Sequence, residues 1–237
     1  MMEVYRLTLR QLSGKWRLII MAVLALMPVV ITALMLADES TLSVWEFEQS
    51  VLSAMLAGSI APLVVLAIAA AAFGNELEDR TLANLTLSPI PRWKIALPKL
   101  LATITIAAPF TALSAFLTSH VAFIADTRAT VAVTVASIVV VALYSSAFVW
   151  LGLVSTQAVG VGLLYIVLWE GFFSGFVEGV RLLSIRHYAL ALMHGIDPRR
   201  FAPVEHPSLP VAVLLVTAVF AGFLWMTVRR LRTMDVP

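Results

Sequence analysis

The sequence predicts an all-α integral membrane protein, and three observations carry that class. Apolar residues fill 61% of the 237 positions and charged residues 13%, against about 45–50% and about 25% for a soluble domain. Five stretches lack Asp, Glu, Lys and Arg over the length a helix needs to cross a bilayer core, about 20 residues. The charges that separate them are sorted, with basic residues in alternate connections.

Those stretches are 18–37, 49–75, 100–125, 129–169 and 207–228. The fourth, 41 residues, would be about 60 Å long as one helix, twice the hydrocarbon thickness. It is therefore expected to be two helices, broken within Ser155-Thr-Gln-Ala-Val-Gly-Val-Gly162, where polar side chains and two glycines interrupt the apolar pattern. The result is six spans, at about 18–37, 50–74, 100–125, 129–153, 158–177 and 208–228.

Orientation follows from the bases. Arg6, Arg10, Lys15 and Arg17 precede the first span, Arg80, Arg92, Lys94 and Lys99 lie between the second and third, and Arg229, Arg230 and Arg232 follow the last. The positive-inside rule then puts both termini and the 75–99 connection in the cytoplasm. Segment 178–207 falls outside yet carries Arg181, Arg186, Arg199 and Arg200, so it is expected to fold back on the outer surface. Its residues 180–193 read as a short apolar helix stopped by Gly195 and Pro198, and the segment is expected to be a partly buried outer element, re-entrant in form. At the other end, residues 2–17 alternate apolar and basic positions, which suits an amphipathic interfacial helix and equally an ordinary basic flank. The apolar run that follows is too long for a cleaved signal and is expected to stay as an anchor.

The chemistry this chain excludes is broad. It has no cysteine, hence no disulfide or thiolate metal site. Gly14-Lys15 lacks the upstream glycine of a phosphate-binding loop, and no basic run interleaved with aromatics points to nucleic acid. No nucleophile, base and oxyanion set is present, so no catalytic residue and no bound cofactor are expected. Glu170 is the single acid well inside an apolar run; a pathway or gate role competes with snorkelling or pairing with Arg181. Gln157 is a second polar point for a pathway, and Ser145 and Ser146 are read as helix-to-helix hydrogen bonders.

The segment 75–94, NELEDRTLANLTLSPIPRWK, is a charged, Pro-broken island between two apolar runs. Leu82 and Leu85 recur at helical spacing, Glu76, Glu78 and Asp79 suit a helix first turn, and Ser88-Pro-Ile-Pro91 stops it. Such a helix is shaped to plug a groove on a soluble partner. In Glu76, Glu78, Thr81, Leu82, Leu85, Pro89, Ile90, Arg92 and Lys99 the chain resembles the permease subunits of type-2 ABC transporters, whose segment between spans two and three commonly reads E-x-E-x-G-T-L, then P-I-x-R and a lysine. Arg80 stands where that pattern often has glycine, so the local turn is expected either to be made without a φ > 0 residue or to continue simply as helix.

What the resemblance implies is a half-transporter in a cell membrane, a prokaryotic inner membrane, that exports as a dimer with a second copy or a related permease. ATP and Mg would be bound by separate cytoplasmic ABC ATPase subunits. Residues Glu76, Glu78, Arg80, Thr81, Leu82, Leu85, Pro89 and Arg92 would form the coupling helix, with the turn near Gln157 a smaller contact. Two other readings stay open beside it: a membrane-embedded enzyme or metal site using Glu170, Glu178, His187 and His194, with His206 as a further ligand, and an assembly subunit with no pathway.

Overall fold

The computed structural model describes residues 1–37, 44–78, 90–124, 126–173, 183–201 and 207–233, and among them every regular element is helical. In chain order these are α1 (Met2–Leu12), α2 (Lys15–Ala37), α3 (Val44–Phe47), α4 (Glu48–Ile60), α5 (Ala61–Ala69), α6 (Ala71–Glu78), α7 (Trp93–Ala122), α8 (Thr127–Val154), α9 (Ala158–Leu164), α10 (Tyr165–Phe173), α11 (Ile185–Ile196) and α12 (Leu209–Thr233). Five rods are long and apolar enough to cross a membrane: α2, the continuous run Glu48–Leu77, α7, α8 and α12. A shorter apolar helix, Ala158–Phe173, is built from α9 and α10.

The 41-residue apolar run is divided where its length demands. Helix α8 ends at Val154, Ser155 turns extended, and α9 resumes at Ala158. The turn is shorter than the polar and glycine pattern indicates, because Gly160 and Gly162 lie inside α9. A Cβ on Gly162 would sit 2.4 Å from Leu66 Cδ1, so this glycine serves close packing and not the turn.

At the centre, α7 packs on α8, and both bury small side chains, Ala102, Thr103, Ala107, Thr111 and Ala115 on α7 and Ala129, Ala132, Ala136 and Ser137 on α8. Small residues let two backbones approach where lipid gives no hydrophobic drive to pair helices. Their hydroxyls are spent locally, as in Thr103 to the Lys99 carbonyl at 3.0 Å and Thr111 to that of Ala107 at 3.1 Å. Pro98 and Pro109 sit within α7 and Pro28 within α2, where each lacks the N–H that would bond the carbonyl four residues earlier; Thr32 Oγ1 donates to the Pro28 carbonyl, the usual bond of a helical threonine to the preceding turn.

The Ala61–Glu78 stretch meets α8 most closely at Gly152, where a Cβ would stand 2.3 Å from the Ala70 carbonyl oxygen. The obstacle is backbone, so it cannot swing away. Gly152→Ala is expected to lower stability by about 1–3 kcal/mol through overpacking, whereas Gly160→Ala, with nothing within 4 Å, should change it by less than about 0.5 kcal/mol. Unfolding midpoints of the two purified variants check this; equal midpoints would remove the contact from the account.

The two ends of the bundle differ. One gathers α1, the start of α2, the end of α6, the start of α7 and the α8–α9 turn, and α1 lies along α7 with Thr8 and Leu12 buried and Tyr5 Oη donating to Thr105 Oγ1 at 3.0 Å. The opposite end is closed by α11, which packs on α8, α4 and α12. There Phe123 meets Phe47 and Phe201 edge-on at 5.4 and 6.0 Å, Arg200 lies over the Phe123 ring, and Arg128 Nε donates to the Ile196 carbonyl at 2.9 Å. The outer segment's helix begins at Ile185, later than the 180 read from hydropathy, and ends before Asp197-Pro198, since a residue preceding proline avoids the helical region.

Candidate functional site

Two polar constructions are buried in this apolar body, one at each end. The first joins α6 to α7. Lys99 is 1% exposed, and its Nζ lies 2.6 Å from Glu76 Oε1, donates to the Ala72 carbonyl and stands 4.6 Å from the centre of the Phe73 ring. An ammonium in lipid-like surroundings is tolerated only when paired and hydrogen-bonded. Here a carboxylate, a carbonyl and a ring face, all from one helix, meet it. The bond ties the last turns of α6 to the second turn of α7, and the segment between them is the charged island.

Sequence reasoning placed Lys99 in a cytoplasmic connection and Glu76 on a partner-facing surface. The structure brings them together because α7 starts at Trp93, so that Lys99 is already inside the helix, on its buried side. Arg92 is the residue ahead of α7 and is half-buried. Glu78 ends α6. Arg80, Thr81, Leu82, Leu85 and Pro89 lie outside the described residues. Gln157 precedes α9, is exposed, and its backbone N–H donates to Ser155 Oγ at 3.1 Å; Thr156 and Asn75 line one hollow, which puts the α8–α9 turn beside the end of α6.

The second construction is centred on Glu170, which is 0% exposed. Its carboxylate accepts from Tyr165 Oη at 3.1 Å, Ser184 Oγ at 2.6 Å and the backbone N–H of Ile185 at 3.1 Å. Ile185 is the first residue of α11, so the carboxylate caps that helix at the end where its dipole favours an anion. Nearby, Arg186 Nε donates to Ser53 Oγ at 2.5 Å and fastens α11 to α4. Both α4 and α10 are π-wound. The Tyr165–Glu170 pair is five residues apart and depends on that winding, as does Ser59 Oγ on the Ala54 carbonyl. A periodicity of 3.6 does not pair Tyr165 with Glu170, which is why Tyr165 was missed; Ser184 stands ahead of a different helix, α11. Burial first, and then the Glu170 carboxylate, push the Tyr188 phenol on α11 above its ordinary range.

The histidines serve different ends. His187 is buried in α11, His194 Nδ1 is 2.8 Å from the Phe201 carbonyl, and exposed His120 stacks on Phe116. Among the described residues no three His, Cys, Asp or Glu side chains are placed to hold a metal ion; Glu178, Arg181 and His206 lie outside them. Ser146 Oγ donates to the Leu143 carbonyl within its own helix.

Apolar rods packed on small residues, with buried Lys99 paired to Glu76 and buried Glu170 capping a helix, define a multi-pass helical membrane protein. A sequence model of the ABC-2 family transporter proteins matches residues 13–185, the greater part of the chain, and the protein belongs to that family. Its members form the membrane component of ABC transporters, which associate with ABC ATPase subunits. Comparison with individually curated proteins gives no match.

Proposed function

We propose that this chain is the permease subunit of an ABC exporter, forming the pathway as a dimer and driven by separate ATPase subunits that bind ATP and Mg. The end holding α1, the end of α6 and the α8–α9 turn would be cytoplasmic, as its bases favour. Helix Ala158–Phe173 would supply the fifth of six spans; the rest of the expected 158–177 span lies outside the described residues. Few residues of α2 and α12 are buried, which leaves their apolar faces for lipid and for a second copy.

The observation that carries the coupling mechanism is the Lys99–Glu76 ion pair. Residues 76–92 would seat in the ATPase groove, with the Gln157 turn as a second contact. An ATPase that grips this segment differently in its open and closed states biases the permease equilibrium by that difference in contact energy. A displacement of the segment reaches α7 directly through Glu76 and Lys99, and α7 passes it to α1, α2 and α8, on which it packs. Glu76 thus acts behind the coupling surface, while Glu78, Arg80, Thr81, Leu82, Leu85, Pro89 and Arg92 remain its proposed contacts. Glu170 supports a structural reading, as the cap that holds α11 over the opposite end.

Co-purification with a P-loop ATPase tests the assignment. Leu82→Asp places a charge in a proposed apolar contact and is expected to weaken ATPase association at least tenfold, with Glu78→Ala having a smaller effect. Unchanged association and unchanged transport-coupled ATP hydrolysis in both variants would sink it.

A further inference from the structure

At the basic end, a hollow of about 340 Å³ opens between α2, the α5–α6 stretch and the α8–α9 turn, within the size range of small-ligand sites, about 300–1,000 Å³. Its floor exists because Ala67, Ala71 and Gly74 recur at three- and four-residue spacing on one helix face, which leaves that face without a side chain longer than a methyl. Its polar rim is made by Arg17, Asn75 and Thr156. Among the described residues the Arg17 side chain makes one long hydrogen bond, Nη1 to the Gln11 carbonyl at 3.5 Å, and no ion pair. The Asn75 amide and Thr156 hydroxyl take part in no hydrogen bond there. No carboxylate is among the described residues that line the hollow, and that of Glu76, next to Asn75 in the sequence, is paired with Lys99.

We propose that this hollow binds one anionic phospholipid, its phosphate on Arg17, Asn75 and Thr156 and its first acyl methylenes on the small-residue floor. A cation, an amide and a hydroxyl with no acid among them suit a group offering several acceptor oxygens. The apolar floor selects an anion that carries hydrocarbon, and the site lies near the start of α2, at the basic end. Arg6, Arg10 and Lys15 in the same end raise the local concentration of anionic lipid. The bound lipid touches Asn75 and Thr156 together, so it bridges the ends of the two segments assigned to the ATPase; this regulatory consequence rests on the permease reading, while the binding itself does not.

The test uses the full chain in phosphatidylcholine nanodiscs, with a spin-labelled phosphatidylglycerol as the probe and no ATPase present. Saturable binding is expected. In the site Arg17 makes a charge-assisted hydrogen bond to the phosphate, about 1.5 kcal/mol or about tenfold in affinity, so Arg17→Gln should weaken it by about tenfold or more. Arg10→Gln, which removes an exposed base of α1 outside the hollow, should weaken it less than twofold. Ala71→Leu, which fills the floor and keeps the charge, should also weaken it. Equal losses in the Arg10 and Arg17 variants would reduce the effect to diffuse surface charge and overturn the site, as would unaltered binding in Ala71→Leu. Displacement of the probe by millimolar inorganic phosphate would make it a free-phosphate site and overturn the lipid assignment. Failure of ATPase co-purification would leave all of these readings in place.

Discussion

Glu76→Leu is expected to destabilise the protein by about 3 kcal/mol, near the lower end of the range for breaking a buried pair from one side. The variant leaves the Lys99 ammonium with only the Ala72 carbonyl and the Phe73 ring, and Lys99 has no route to water at 1% exposure. Lys99→Met should cost less, because the Glu76 side chain is 16% exposed and its carboxylate can take up water once released. The double variant Glu76→Leu/Lys99→Met puts apolar groups on both sides, a replacement that is often neutral. A coupling energy on the order of 2 kcal/mol is therefore expected from reversible unfolding of the four proteins. Additive losses would show that the two groups do not act as a pair. The double variant also separates stability from coupling: under the permease reading it folds well, yet ATP hydrolysis by the associated ATPase loses its dependence on transport.

Glu170→Leu is expected to cost about 3–5 kcal/mol, since it strands at least the Tyr165, Ser184 and Ile185 donors, each costing about 1–3 kcal/mol when buried without a partner, with some relief from local rearrangement. Glu170→Gln keeps an acceptor and the volume but loses the charge at the start of α11, an effect of about 1 kcal/mol. Hydrogen exchange gives the local signature. Amides of α11 should lose protection strongly in the leucine variant and modestly in the glutamine variant, while the α7–α8 seam keeps its own. Unchanged α11 protection in Glu170→Leu would show that the helix is held by its packing and by Arg186 alone.

Legibility in the sequence followed the strength of the physical constraint. Span lengths were readable because hydrocarbon thickness fixes how long an apolar helix must be, and the split near Gln157 followed from the excess length of 129–169. The stop of α11 was readable from Pro198, whereas Gly195, read as ending the helix as well, lies inside it, and the helix runs to Ile196. The start of α7 was not, because counting charge-free residues ends a span at Lys99, and a lysine that enters the apolar zone with a partner looks the same in sequence as one that stops at its edge. Glu170 was recognised as exceptional, but its partners were out of reach. One is five residues away on a π-wound helix, and the others, Ser184 and the Ile185 N–H, belong to an element whose beginning hydropathy misplaced.

The sequence by itself determined that the chain is an all-helical membrane protein, where its apolar rods lie, and which island carries the family resemblance. Those are properties of composition and spacing, set by the bilayer as solvent. Only the tertiary structure decided that Glu76 faces Lys99 and that Glu170 caps α11. Pairing a buried charge depends on which helices adjoin and on how each is rotated, and that rotation is fixed by contacts such as Gly152 against Ala70, between residues far apart in the chain.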